Sequence, residues 1–267
     1  MRFSHLSEKL KRIGSDNPRG EALILAEKLF GISSASLLAD TERELPDEEL
    51  NAVISRREKG EPLQYILGEW DFFGLTFFVK EGCLIPRPDT EILVEEAIKR
   101  IPENTCFADF CCGSGCIGLS VLKNRPDLTC FAVDLFDTPL YLTKKNAERH
   151  GVSDRIKIVR ADVLGELSLP SDVSFILSNP PYIAKADMGK LAKELSFEPK
   201  EALLGGEDGM DFYRAIMRTS ASRGLPVLFE IGYDQAKKME VLAERWGRKC
   251  KIFCDLGGND RVAFIEE

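Results

Sequence analysis

The chain has 267 residues, enough for one large domain or two with a substantial core, and its 44% apolar and 30% charged content is that of a globular protein. No apolar run approaches the roughly 20 residues needed to cross a bilayer, and residues 1–20 lack the apolar centre of a secretory signal. A net charge of −8 and a pI near 5.1 do not supply the basic footprint of a duplex binder, so a protein or small-molecule substrate is expected and direct nucleic-acid binding is not.

Residues 1–67 read as all-helical. Glu8 and Asp16 argue against a mitochondrial presequence and for a first domain helix. Asn17-Pro18 supplies a capping side chain and a proline at the first helical position. Ala22, Leu23, Leu25, Ala26, Leu29 and Phe30 give that helix its apolar content, and Gly31 stops it. A further helix is predicted over about 46–59, with Leu50, Val53 and Ile54 at helical spacing. The runs Glu42-Arg43-Glu44 and Arg56-Arg57-Glu58-Lys59 read as solvated faces. Residues 70–73 and 75–79 are aromatic and β-prone around Gly74, which predicts a hairpin. That makes 1–67 a helical domain, 68–85 a hairpin linker and 86–267 a second domain.

From residue 86 helix and strand patterns alternate. Strands are predicted at 106–110, 129–134, 156–159, 173–177, 225–231, 251–255 and 261–265, and helices near 90–100, 117–124, 139–150, 211–221 and 234–246. Thr138-Pro139 reads as a second cap-plus-proline start, with Gly151 as the stop. Apolar strands between helices imply an α/β fold with a mostly parallel, doubly wound, seven-stranded sheet covered on both faces. The eight cysteines include no Cys-x-x-Cys pair and are accompanied only by His5 and His150, so no metal is expected. Several sit in apolar runs, which predicts reduced core thiols and a cytoplasmic protein.

Two segments carry chemistry. After the first predicted strand, Cys111-Cys112-Gly113-Ser114-Gly115-Cys116-Ile117-Gly118 places Gly113, Gly115 and Gly118 in G-x-G-x-x-G between strand and helix, where glycine lets backbone approach a ligand. The next strand ends in Asp134, placed to accept from ribose hydroxyls. A tight turn and a surface acid would look the same, and the pattern alone serves NAD as well as S-adenosylmethionine. Asp162 and Val163, after the third strand, are candidates for the adenine amino group and ring. The second segment, Asn179-Pro180-Pro181-Tyr182, ends the apolar run 173–177. Two prolines stop a strand and hold the chain extended. The product is a stiff corner that presents the Asn179 side-chain oxygen, the Pro180 carbonyl and the Tyr182 ring, a match for a planar –NH2 group. It is also what an ordinary proline turn looks like. Held beside a sulfonium methyl, such a group would be N-methylated.

With Pro62-Leu63-Gln64-Tyr65-Ile66-Leu67-Gly68, Ile85-Pro86-Arg87-Pro88-Asp89-Thr90-Glu91, Asn179-Pro180-Pro181-Tyr182-Ile183, Gly205-Gly206-Glu207-Asp208-Gly209 and Asp255-Leu256-Gly257-Gly258-Asn259-Asp260-Arg261 in this order, the chain resembles the peptide chain release factor N5-glutamine methyltransferases, the PrmC/HemK family. The resemblance implies the class I S-adenosylmethionine-dependent methyltransferase fold. It further implies methyl transfer to the side-chain amide of the glutamine in the Gly-Gly-Gln motif of a release factor, the partner seated with help from residues 1–67. Carried over, Cys111, Cys112, Gly113, Ser114 and Gly115 form the cofactor loop and Asp134 takes the ribose. Val163 adjoins adenine, and Asn179, Pro180, Pro181 and Tyr182 hold the glutamine. Asn179, Pro180 and Tyr182 are the catalytic candidates, with Asn179 also against the cofactor. One residue departs from the family pattern: Cys111 stands where Asp-x-Gly-x-Gly-x-Gly has its first glycine, so its side chain would crowd the cofactor or require positive φ at ~1 kcal/mol or more. A glutamine methyltransferase acting on a ribosomal protein, an adenine-N6 nucleic-acid methyltransferase, and a non-catalytic protein with a degraded loop are the rival readings.

Overall fold

A computed structural model describes residues 1–267 apart from the side chain of Lys193. The chain forms two compact units, Met1–Gly68 and Glu69–Glu267.

The first unit is helical: α1 (Phe3–Arg12), α2 (Pro18–Phe30), α3 (Ser34–Ala39), α4 (Asp47–Glu58) and α5 (Leu63–Leu67). α2 starts as its sequence dictates. Asn17 Oδ1 accepts from the Gly20 N–H at 3.1 Å, Pro18 follows, and Gly31 closes the helix at φ 66°. Phe3, Leu6 and Leu10 of α1, Leu25 of α2 and Leu50 of α4 are fully or almost fully buried. One expected solvated charge is not solvated. Arg57 is 6% exposed because its guanidinium forks onto Glu21, at 2.8 and 3.3 Å, and a planar fork matched to a carboxylate tolerates burial.

The second unit opens with the hairpin of β1 (Glu69–Phe72) and β2 (Leu75–Phe78), turned through Phe73 (φ 50°) and Gly74 (φ 71°). Two successive positive φ values match the twist of a two-residue hairpin. The hairpin is docked: Asn146 exchanges hydrogen bonds with the Phe78 N–H (2.7 Å) and carbonyl (3.1 Å), and also donates to the Ser114 carbonyl (2.9 Å).

There follow α6 (Glu91–Arg100), β3 (Cys106–Phe110), α7 (Cys116–Asn124), β4 (Thr129–Asp134), α8 (Asp137–His150), β5 (Ile156–Arg160), β6 (Val173–Ser178), α9 (Asp211–Ala221), β7 (Val227–Glu230), α10 (Ala236–Arg245), β8 (Lys249–Cys254) and β9 (Asp260–Glu266). The seven-stranded sheet has the order β5-β4-β3-β6-β7-β9-β8, parallel through the first five, with β9 antiparallel to both its neighbours. Side chains alternate between two cores. Phe107, Phe175 and Leu228 pack with α6, α7 and α8, whereas Ala108, Phe110, Ile176, Val227 and Phe229 pack with α9 and α10. This is the doubly wound sheet that the buried strands require. α8 begins two residues before the predicted Thr138-Pro139 start and has no side-chain cap. Asp134 Oδ1 accepts from the Phe136 N–H at 3.2 Å and turns the chain early, leaving Pro139 in the first turn, where its missing N–H costs nothing. None of the eight cysteines is in a disulfide. The chain passes from β3 outward to β5, then crosses to β6 on the other side, so the strand ends of β3 and β6 flank the switch point where α/β sheets bind ligands.

Candidate active site

The loop after β3 is built on left-handed backbone: Cys111, Gly113 and Gly115 have φ of 59°, 58° and 80°. Cys111 therefore adopts the conformation that its family's glycine would take freely, and burial pushes its thiol well up. The Cys112 N–H bonds to the Val133 carbonyl (3.1 Å) and the Gly113 N–H to Asp134 Oδ2 (3.0 Å), which ties the loop to the end of β4. Gly118 has a different task. Its N–H donates to Asp109 Oδ2 at 3.0 Å, and a Cβ there would meet the same oxygen at 2.8 Å, so this glycine lets α7 close on β3.

A cavity of about 950 Å³ opens at these strand ends. Of the residues expected in the site, Cys111, Cys112, Gly113, Ser114, Asp134, Asp162, Val163, Asn179 and Pro181 line it, whereas Gly115, Pro180 and Tyr182 do not. Asp134 is 9% exposed, and burial raises its carboxyl above the usual range against two backbone N–H bonds that lower it. Val163 is buried; Asp162 is exposed and uses Oδ1 to accept from the Leu164 N–H at 2.8 Å.

The Asn-Pro-Pro-Tyr corner leaves β6 as expected and is braced from behind. Asn179 Nδ2 donates to Thr90 Oγ1 at 3.4 Å. Among the described residues nothing donates to Asn179 Oδ1 or to the Pro180 carbonyl. The Tyr182 carbonyl accepts from Gln235 Nε2 (3.0 Å), and Gln235 is fixed in turn by the Tyr213 hydroxyl (3.1 Å) and the Gly232 N–H (3.0 Å). Gly205 backs the corner so closely that a Cβ would stand 2.6 Å from the Pro181 carbonyl oxygen. Glu198, 4% exposed, accepts from the Ile85 N–H (3.0 Å) and pairs with Arg87, holding the Ile85–Arg87 stretch that forms another wall. Glu230, at the end of β7, accepts from the Thr90 and Tyr182 hydroxyls.

Thr90 and Glu198 lie in segments whose sequence was distinctive but silent about role. Glu230 and Gln235 were missed, although an acid closing the apolar run Val227-Leu228-Phe229 was a usable signal. The cavity fits S-adenosylmethionine. Asp134 offers acceptors to a ribose diol and Val163 an apolar surface to a base, while one loop N–H that a pyrophosphate would need is already committed to Asp134.

Comparison with known proteins gives the family. Residues 3–68 match the family described as PrmC N-terminal domain and residues 88–207 the one described as Methyltransferase small domain. The chain is 38% identical to the release factor glutamine methyltransferase of Geobacter sulfurreducens, over 97% of this chain and 91% of the relative. It is 35% identical to that of Escherichia coli, over 98% of both. The chain belongs to the release factor glutamine methyltransferase family. It is an S-adenosylmethionine-dependent methyltransferase. The hMettl16 catalytic domain, solved with MAT2A 3′UTR hairpin 6, shares the fold at a TM-score of 0.59 and 19% identity, over 82% of this chain and 80% of that one. Among the described residues no helix is long and apolar enough to cross a membrane.

Proposed function

We propose that this enzyme methylates the side-chain amide nitrogen of the glutamine in the Gly-Gly-Gln motif of peptide chain release factors. The observation that carries the reading is the pair of unused acceptors, Asn179 Oδ1 and the Pro180 carbonyl, on consecutive residues of a braced corner beside the cofactor cavity. A primary amide has two N–H donors in one plane. Two acceptors that each take one hydrogen fix that plane and the axis along which its nitrogen can attack. An amide nitrogen is a weak nucleophile because its lone pair is delocalised, so orientation matters more here than basicity. Holding reactants in an attack geometry can contribute on the order of 7–11 kcal/mol. The same acceptors stabilise positive charge as it develops on nitrogen while the methyl–sulfur bond breaks, and no strong base is needed, because the N-methylated cation first formed is a strong acid that gives its extra proton to water. Bound S-adenosylmethionine supplies the electrophilic methyl. Cys111, Cys112, Gly113 and Ser114 would hold its amino-acid end, Asp134 its ribose, and Asp162 and Val163 its adenine. Pro181 and Tyr182 complete the corner, the tyrosine through its ring and its anchored carbonyl.

Mass spectrometry of a release factor incubated with the protein and S-adenosylmethionine tests this. One added methyl is expected on the Gly-Gly-Gln glutamine, with kcat at saturating cofactor lowered at least tenfold in Asn179→Ala. Methylation elsewhere, or an undiminished variant, would overturn the assignment. We assign residues 1–67 to seating the intact factor. In the same assay the intact factor should show a much lower KM than a Gly-Gly-Gln peptide, and truncation at residue 68 should raise only the former.

A further inference from the structure

Glu230 holds both ends of the substrate corner. It is 2% exposed; Oε2 accepts from the Thr90 hydroxyl, and Oε1 lies 3.5 Å from the Tyr182 hydroxyl, which donates to it. Thr90 is equally buried, lines the cavity and meets Asn179 Nδ2 through its Oγ1. A hydroxyl carries one hydrogen. Once that hydrogen is on the Glu230 carboxylate, Thr90 can face Asn179 only as an acceptor, so the NH2 end of Asn179 turns to Thr90 and its oxygen turns away.

We propose that ionised Glu230 is a positioning residue that sets the polarity of Asn179: acting through Thr90, it keeps the Asn179 oxygen, and not its NH2 group, presented to the substrate amide. The inference rests on the methyltransferase reading above and deepens it. Protonation reverses the chain. A protonated Glu230 donates to Thr90, the Thr90 hydrogen passes to Asn179, and the Asn179 amide then gains a bond by rotating to place its oxygen on Thr90. Its NH2 group now confronts the substrate's N–H. Two donors face one another, and the orienting bond is lost.

The pH at which this reversal falls depends on what faces Glu230. Burial pushes its carboxyl up to about 7, while Arg261 favours the ionised form and Asp89 opposes it. Arg261 is itself held by Asp89 (3.1 Å) and Asp255 (3.0 Å). The other titratable neighbours, Tyr182, Tyr213 and Cys116, stay protonated at neutral pH because burial raises all three. A glutamine side chain does not titrate near neutrality, so an acid limb in kcat belongs to the enzyme.

The expected result is that wild-type kcat, at saturating cofactor and release factor, falls about tenfold per pH unit below about 7. Glu230→Gln, whose amide oxygen can still accept from Thr90 but which does not titrate, should abolish the acid limb. Asp109, buried and also pushed up to about 7, is intact in that variant and so cannot be the source of a limb that disappears. Thr90→Val should lose kcat with the cofactor Kd unchanged, and Thr90→Ser should restore it. A Glu230→Gln enzyme with the wild-type limb, or a Thr90→Val enzyme with wild-type kcat, would overturn the proposal. A measurement that needs no substrate separates the two readings: the side-chain ¹H–¹⁵N resonances of Asn179 in the wild-type protein should shift with a midpoint near pH 7 and be flat in Thr90→Ser/Glu230→Gln. Titration of Asn179 without any methylation of a release factor would support the positioning and refute the assigned substrate. Methylation with a static Asn179 signal would refute the positioning and leave the substrate standing.

Discussion

Cys111 is the residue at which this chain departs from its family, and its backbone shows how the departure is absorbed. At φ 59° it keeps the left-handed turn of the loop, and only its side chain is new. A non-glycine residue in this region costs roughly 1–2 kcal/mol, and a β-branched one more, because Cβ crowds the following carbonyl. Cys111 is half-buried against the core that packs with α9 and α10, and that contact returns some of the cost as packing. Cys111→Gly removes strain and packing together and adds freedom to the unfolded chain, so its stability should lie within about 1 kcal/mol of wild type. Cys111→Val should destabilise by about 2 kcal/mol or more. Urea unfolding of the two variants checks this, and equal stabilities would mean that the loop relaxes out of the left-handed region. Because Cys111 lines the cavity, Cys111→Gly should also bind S-adenosylmethionine more tightly by calorimetry.

At the scale of elements, the corner after β6 is rigid because the 205–209 segment lies directly against it. Gly205 donates its N–H to the Ile183 carbonyl at 2.9 Å, and an added Cβ would meet the Pro181 oxygen at 2.6 Å and Tyr182 Cα at 2.8 Å. Both contacts are with backbone, so neither can yield by a rotamer change. Gly205→Ala should therefore displace Pro181 and Tyr182, lowering kcat at least tenfold while leaving cofactor affinity near wild type. Gly189→Ala, where a Cβ meets nothing within 4 Å, is the control. Undiminished kcat in Gly205→Ala would show that the corner's position is not set from this side. The same region shows what a sequence reveals. The corner itself was legible, since two prolines after an apolar run restrict the chain by local sterics alone. The central strands β3, β4, β6 and β7 were legible because both their faces are buried, which leaves continuous apolar runs. What braces the corner was not: Thr90 and Glu230 are 140 residues apart, and a hydrogen bond across that distance leaves no periodicity to read. Arg57 was misread for a related reason, since its burial depends on Glu21, a residue from another helix.

Across the whole molecule, the two buried acids of the catalytic unit determine how stability responds to pH. Asp109 and Glu230 are each raised to about 7, from ordinary values of 3.8 and 4.5, and burial is the leading cause for both. Between those ordinary values and 7 the folded protein binds more protons than the unfolded chain, so stability falls as pH rises through that window and is fully present only below it. Asp255 and Asp127 act in the opposite sense. Asp255 is lowered first by the Asn259 backbone N–H and Asp127 first by Arg125, so both withdraw stability as pH falls below about 4. These are partly buried pairs at the surface, still screened by water, and their effect is small beside that of two fully buried carboxyls. The unliganded protein should therefore lose stability from near pH 5 to about pH 7 and level off toward pH 8, the loss offset in part by His150, which burial lowers and which gains stability as pH rises. Asp109→Asn isolates one of the two contributions. Its amide oxygen can still accept from the Gly118 N–H, and the group no longer titrates. Urea unfolding at half-unit steps from pH 5 to 8 should give a falling curve for wild type and a distinctly shallower one for Asp109→Asn. A wild-type curve that is flat or rises from near pH 5 to about pH 7 would mean that one or both acids ionise at their ordinary pH, and that water or a counter-charge reaches them inside the fold.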